Sequence, residues 1–347
     1  MTGEKNRQIL LASRPKGEPR PENFRMVETA IPEPGEGQML LRTIYLSLDP
    51  YMRGRMSDAP SYAPPTEVGG VMEGQAVCEV VKSNAPNFAS GDLVMAGAGW
   101  QEYSIFDGRS LRKIDPKLAP PSYALGVLGM PGLTAYGGLL NIGAPQAGET
   151  LVVAAASGAV GSVVGQIGKI KGCRVVGIAG GEAKCRYVKE ELGFDECLDH
   201  RRPTLAEDLR AACPKGVDIY FENVGGAVFD AVLPLFNNFA RIPVCGIIAH
   251  YNATELPAGP DRTPLLLRHI LVKRLTFRGF IVVDYFSQFG DFLRDVGGWL
   301  REGRIKYRED VTDGLENAPR ELIGLLKGEN FGKKIIRVSA DPARPTS

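Results

Sequence analysis

The sequence predicts an α/β protein of two parts, a β-rich unit and a doubly wound parallel sheet, on three observations. Residues 1–125 alternate apolar and polar side chains in short segments broken by Pro and Gly, the texture of a mostly β unit. At about residue 129 this gives way to apolar strand, Gly-containing turn and helix, repeated to about residue 305, as in a parallel sheet with crossover helices. The length, 347 residues, makes two domains the natural division at roughly 100–200 residues each.

In the first part, strands are expected at 8–13, 24–31, 39–46, 71–81, 93–96 and 102–106, each patterned with period 2 between turn residues. In the second, 151–155 is a near-continuous apolar run, as a strand covered on both faces shows, and a helix follows from about Ala159. The next strand is 174–179, with a helix to Leu192 that Gly193 can end in a left-handed cap. A short strand, 195–198, precedes Thr204-Leu205-Ala206-Glu207, which has the spacing of a capping box, and Pro214 closes the helix it opens. Strand 217–222, helix 227–236 and strand 241–247 continue the alternation. Residues 276–283 are the expected edge of a sheet of about six strands. After Tyr307 a helix, 315–326, and a strand, 334–338, are expected to return to the N-terminal β unit, while 341–347, rich in Pro and polar groups, is expected to fray.

Composition removes whole classes of function. With 41 Lys+Arg against 40 Asp+Glu the net charge is +1, which lacks the basic excess that nucleic-acid binding rests on. At 44% hydrophobic and 23% charged residues the chain can bury a sizeable core. Six cysteines lie far apart with no CxxC pair, which fits reduced thiols in a cytoplasmic protein. Residues 1–22 lack the apolar core of a signal peptide, so no export is expected. The uncharged run 150–168 approaches spanning length but carries Ser157, Gly158, Gly161, Ser162 and Gly165 in its middle, so a strand, turn and helix are expected there and no membrane partner.

That turn, Ala155-Ala156-Ser157-Gly158-Ala159-Val160-Gly161, has the dinucleotide fingerprint with Ala156 in the first Gly position. A residue without a bulky Cβ lets backbone approach a pyrophosphate, whose charge the free N–H groups of a helix N-terminus hold. Ala156, Gly158, Ala159, Val160 and Gly161 are therefore candidate cofactor contacts. Gly161, Gly165 and Gly168 form one bare stripe that can press close to the sheet, and a close-packed Gly/Ala helix alone would show the same pattern. An NAD site usually ends its second strand in Asp or Glu, which binds the ribose 2′-hydroxyl. Here the strand ends Ile178-Ala179-Gly180-Gly181, leaving room for a phosphate, with Lys184 just beyond it and Arg186 nearby. Glu182 could still reach a ribose, and Lys184 could be a solvated cation. NADPH is the expected cofactor.

A β-rich domain, an inserted dinucleotide domain and a C-terminal return together resemble the medium-chain dehydrogenase/reductase superfamily, above all its zinc-free branch of prostaglandin reductases, plant alkenal double-bond reductases and bacterial curcumin reductase. The matching stretches are Leu46-Ser47-Leu48-Asp49-Pro50-Tyr51-Met52-Arg53, Gly129-Met130-Pro131-Gly132-Leu133-Thr134-Ala135-Tyr136, Ala155 to Gly161, Glu222-Asn223-Val224-Gly225-Gly226, Cys245-Gly246 with Tyr251-Asn252, and Leu326-Lys327-Gly328-Glu329-Asn330-Phe331-Gly332-Lys333. The resemblance implies a GroES-like β-rich substrate domain, 1–128 with 307–347, and a Rossmann domain, 129–306. Catalytic zinc in this superfamily is held by Cys and His drawn largely from the first domain, yet residues 1–150 contain one Cys and no His. His200, His250 and His269 all come later, without ligand spacing.

Without a metal to polarise a C–O bond, the resemblance implies hydride addition to the activated C=C of an α,β-unsaturated ketone or aldehyde, with the enolate oxygen stabilised by the protein. Tyr251 matches the family's tyrosine beside the nicotinamide ribose and substrate oxygen, and Tyr51 resembles a wall of the substrate pocket. Either could instead be an aromatic packed by its ring. By the same matching Asn223, Cys245 and Asn330 are cofactor contacts, although Cys245 could be an inert buried thiol. Phe280 and Val282 resemble positions near the nicotinamide, or are strand core. His200 stands where the family usually has a tyrosine that contacts the adenosine phosphate. Quinone reduction in the same scaffold, and nucleotide binding without catalysis, are the competing readings. The family pairs into homodimers, here expected through 276–283.

Overall fold

Alternation of apolar and polar residues at the N-terminus does produce strands. The computed structural model describes residues 5–109 and 111–343. The chain divides into two units: Met1–Leu125, Glu309–Asn330 and Lys334–Ser347 form the first, Gly126–Arg308 with Phe331–Lys333 the second. In the first, β1 (Lys5–Leu11) and β2 (Phe24–Ala30) make an antiparallel pair, followed by β3 (Met39–Ser47), the single helical turn α1 (Met52–Arg55), β4 (Ala76–Ser83), β5 (Leu93–Ala96), β6 (Tyr103–Phe106) and β7 (Arg112–Ile114).

The second unit runs α2 (Met130–Gly137), extended by a π turn over Gly138–Gly143, then β8 (Thr150–Ala154), α3 (Gly161–Ile170), β9 (Arg174–Ala179), α4 (Glu182–Glu190), β10 (Glu196–Asp199) and α5 (Leu205–Ala212). It continues with β11 (Val217–Phe221), α6 (Gly226–Val232), β12 (Phe236–Val244), α7 (Thr263–Lys273), β13 (Thr276–Gly279) and α8 (Phe289–Arg301). The chain then returns to the first unit with β14 (Glu309–Asp313), α9 (Ala318–Leu326) and β15 (Lys333–Arg337).

β3 explains why the first unit coheres. Its residues face three apolar clusters: Met39 and Leu41 meet Cys78, Val80 and Val94, Ile44 meets Val77 and Ile335, and Leu46 joins Ile9, Leu11 and Trp100. In the mixed sheet of order β14-β15-β3-β4-β5-β7, β3 also pairs with β6. The returning segment is fixed at both levels. β15 is antiparallel to β3, with Ile336 opposite Leu46, and Leu315, Ala318, Leu322 and Leu325 complete the same cluster as Ile9 and Trp100. The end frays less than its composition predicts, because Asp341 is buried and accepts a hydrogen bond from the Tyr45 hydroxyl at 3.0 Å. Residues 344–347 of that expectation lie outside the described residues.

The second unit is the doubly wound sheet that the sequence predicts. Its six parallel strands stand in the order β10-β9-β8-β11-β12-β13, so the winding reverses between β8 and β11. In such sheets ligands bind at the carboxyl ends of the strands flanking that switch point. The glycine stripe of α3 is used along its length. A Cβ on Gly168 would lie 2.5 Å from Leu151 Cδ2 of β8, and one on Gly165 would lie 1.8 Å from Cζ of Phe194, which precedes β10.

Four expectations need correction. Thr204 makes no cap bond to the α5 backbone; its hydroxyl donates to Asp208 at 2.8 Å, because an acid one turn on offers a charged acceptor. β12 starts at Phe236, five residues before the apolar run, and ends at Val244; Phe239 sits in the left-handed region (φ 63°), and pairing with β11 jumps from Val217 with Phe236 to Ile219 with Arg241. The edge strand ends at Gly279, so Val282 opens a 3-10 turn, Val282–Gln288, instead of lying on a strand. Residues 71–75 precede β4 without belonging to it. Among the described residues no helix is long and apolar enough to cross a membrane.

Gly165→Ala should lower the free energy of unfolding by about 1–3 kcal/mol, the usual penalty of overpacking. In urea titrations Phe194→Leu should recover part of that loss in the double variant. Strictly additive effects would show that the two sites do not touch.

Candidate active site

Three sets of strand ends in the second unit, those of β8, of β9 with β10 and of β11 with β12, carry most of the candidate cofactor residues. Where β8 stops, Ala155 takes a left-handed conformation (φ 52°), and the amide of Ala156 donates to the Ile178 carbonyl at 2.9 Å. Such a conformation costs a non-glycine residue about 1 kcal/mol. Ala156 is tolerated in the first glycine position because Gly177 faces it: a Cβ there would come within 2.8 Å of the Ala156 methyl. Gly161 has no substitute, since its Cβ would lie 2.4 Å from the Ala155 carbonyl oxygen. The amides of Ser157, Ala159 and Val160 have no hydrogen-bond partner among the described residues. A cradle of mostly small residues with unsatisfied N–H groups at the start of α3 is what an anionic pyrophosphate needs.

The second set lies at the ends of β9 and β10. Gly181 (φ 94°) and Arg201 both donate their amides to Asp199 Oδ1, at 2.9 and 3.0 Å, which ties the two strand ends together. Burial alone would raise the Asp199 pKa, but these two bonds and the charges of His200 and Arg201 outweigh it and hold the carboxyl below its ordinary value. His200 is exposed at its outer face, while its Nε2 would stand 2.9 Å from a Cβ on Gly180. Desolvation of the imidazole, then the charges of Arg201 and Lys184, depress its pKa against the pull of Asp199. Of the other charged candidates, Glu182 and Arg186 pair with each other at 2.6 Å on the open face of α4, which accounts for both. Sequence patterning gave no reason to single out Arg201, whose position depends on the register of β9 with β10.

The third set lies at the ends of β11 and β12. Glu222 is buried, its carboxylate accepts the amides of Val224 and Gly225 at 2.6 and 2.8 Å, and its carbonyl accepts those of Cys245 and Gly246 at 2.9 and 3.2 Å. Burial still lifts its pKa above the ordinary carboxyl value. The Asn223 side chain donates to the Ala154 carbonyl at 2.8 Å, which links this crevice to the cradle. The Tyr251 hydroxyl would stand 2.9 Å from a Cβ on Gly246, so only a glycine there admits it. Burial, with the Glu222 charge, pushes the Cys245 thiol up to about 12, the state of an unreactive group. Phe280 is committed to packing. Its ring lies 6.2 Å from that of Phe221 and 5.7 Å from that of Tyr285, and would clash with a Cβ on Gly138 at 2.3 Å; Tyr285 meets Gly137 in the same way at 2.4 Å.

Tyr51 and Asn330 belong to the first unit. Tyr51 opens α1, and the buried Arg55 guanidinium lies 5.6 Å from its ring centroid and 4.6 Å from that of Tyr62. Burial, then the charges of Asp49 and Glu73, push the Tyr51 phenol well above its ordinary value, so it stays a hydrogen-bond donor. Among the described residues no group of three or more His, Cys, Asp or Glu side chains could hold a metal ion.

Two family profiles match the chain, one described as the N-terminal domain of oxidoreductase over residues 7–114 and one as zinc-binding dehydrogenase over residues 159–296. The NADPH-dependent curcumin reductase of Escherichia coli is 62% identical over 339 residues, covering 97% of this chain and 98% of that one. The NADP(+)-dependent 2-alkenal reductase of Nicotiana tabacum is 40% identical over 347 residues, covering 97% and 98%. Among solved structures, CurA of Vibrio vulnificus in complex with NADPH superposes with a TM-score of 0.94 at 57% identity, over 96% of this chain and 100% of that one.

Proposed function

The chain belongs to the medium-chain dehydrogenase/reductase family, on the branch that holds the curcumin and alkenal reductases, and from that membership we propose that it reduces the activated C=C bond of α,β-unsaturated ketones or aldehydes with NADPH and without a metal. One observation carries this function: the Tyr251 hydroxyl is seated on Gly246 in a crevice that Asn223 ties to the amide-lined cradle at the β8 end.

NADPH, when bound, supplies the hydride that the β-carbon of the substrate accepts. The turn from Ala156 to Gly161 holds the pyrophosphate through its free amides. Lys184 and His200 would hold the adenosine phosphate, and by the family resemblance Asn223 and Asn330 would serve the ribose and nicotinamide groups. Cys245, Phe280 and Val282 would border the nicotinamide, as the family resemblance implies. Tyr251 donates its O–H to the oxygen on which negative charge develops, an interaction stronger in the transition state than in the ground state. Tyr51 orients the substrate as a wall of its pocket, and water supplies the proton to the α-carbon. Residues 129–306 are thus the dinucleotide domain, and 1–128 with 307–347 the substrate domain.

The protein works as a homodimer in the cytoplasm. Support for the dimer comes from the exposed edge of β13 and from Leu265, Leu267, Leu271 and Val272, all exposed on α7. Support for the compartment comes from six free cysteines.

Tyr251→Phe should cut kcat/KM for an enone by about ten- to a hundredfold, the loss of one hydrogen bond to a charged group, while the NADPH dissociation constant changes by less than about twofold. Loss of NADPH absorbance across a panel of enones, quinones and alcohols reads the rate. Turnover of quinones alone would replace the enone assignment, and a chelator should leave the rate unchanged. In sedimentation velocity the wild type should run as a dimer and Leu271→Arg as a monomer; a monomeric wild type would remove the dimer.

A further inference from the structure

The ends of β9 and β10 gather basic groups whose neighbouring acids are already engaged. The two strands run parallel with Ala179 beside Asp199, so Gly180-Gly181 and His200-Arg201 leave the sheet side by side. Asp199 Oδ1 holds the amides of Gly181 and Arg201, and Glu182 is paired with Arg186. The Arg201 guanidinium, by contrast, has no ion-pair partner among the described residues. It lies along the two glycines: a Cβ on Gly180 would stand 3.3 Å from both Nε and Nη2, and one on Gly181 3.3 Å from Nη1. His200 Nε2 meets the same Gly180 position at 2.9 Å, and Lys184 is near enough for its charge to be felt at the imidazole. Arg201 and Lys184 carry like charge close to one imidazole, and a bound dianion would be attracted by both.

We propose that Arg201 sets the choice of nucleotide, its guanidinium pairing with the 2′-phosphate of NADPH. This rests on the NADPH reading above and adds a residue to it. A planar guanidinium presents parallel donors that match two phosphate oxygens, whereas Lys184 offers a point charge and the imidazole of His200 cannot present two parallel donors. The two glycines are what let the guanidinium lie flat against the backbone, and the Asp199 bond to the Arg201 amide fixes where that side chain starts.

Calorimetric titration with NADP⁺ and NAD⁺, and with adenosine 2′,5′-bisphosphate and AMP as probes of the adenosine end alone, tests the assignment. Wild type should prefer NADP⁺ and the bisphosphate. Arg201→Ala should weaken those two by about ten- to a hundredfold and leave NAD⁺ and AMP within about twofold, with Arg201→Lys recovering part of the loss. Arg201 is exposed, so an unchanged melting temperature of the unliganded variant serves as the folding control. Equal binding of NADP⁺ and NAD⁺ by wild type would overturn the NADPH reading itself. A wild-type preference that survives Arg201→Ala would overturn only the role of Arg201. Equal weakening of all four ligands would place the guanidinium on the adenine ring and overturn its pairing with phosphate.

Discussion

The close passage of Gly161 over the Ala155 carbonyl is the constraint from which the second unit is organised. It brings the start of α3 directly onto the end of β8, and it does so only because position 161 has no side chain and Ala155 accepts a left-handed backbone. The amides of Ser157, Ala159 and Val160 have no hydrogen-bond partner among the described residues. The unit therefore carries an unfilled electrostatic demand at its switch point, where the strand order also opens a crevice. The local strain is supported by the packing below it, where Gly168 lets α3 settle against Leu151 and Val175.

Two acids show how a carboxylate can be structural within a site that binds negative charge. The Asp199 carboxylate ties the ends of β9 and β10 together by accepting the amides of Gly181 and Arg201. The Glu222 carboxylate accepts the amides of Val224 and Gly225 in the turn after β11, while its main-chain carbonyl accepts those of Cys245 and Gly246 after β12. The difference between them is desolvation. Amide bonds win at Asp199, which is held ionised, and burial wins at Glu222, whose pKa rises. Both acids position their neighbours: Arg201 in one case, the Cys245-Gly246 bend on which Tyr251 rests in the other.

Much of the fold was legible because parallel strands buried on both faces read as apolar runs, and the run at 151–155 differs from β8 by one residue at each end. Where the reading failed, tertiary contacts outweighed local pattern. β12 hides its first half behind Asn237, Asn238 and a left-handed Phe239, and the apolar run Phe280-Ile281-Val282-Val283 looks like strand but leaves the sheet after Gly279. The helices α7 and α8 were missed, and α7 has no buried residue to give it a periodic stripe. At the site, the turn could be read from residue type alone because it depends on absent side chains. Arg201 could not, because its importance lies in the two glycines it covers, and those belong to a different strand.

The paired wedges described beyond β13 also bear on how the sheet margin behaves. Phe280 and Tyr285 fill the space that Gly138 and Gly137 leave open on α2 and its π turn, so the chain leaving the last strand is clamped from behind. A rim held in this way is rigid before anything meets it. Any lateral partner finds a preformed ledge whose ordering entropy was settled when the chain folded, and the association spends none of its free energy on arranging it.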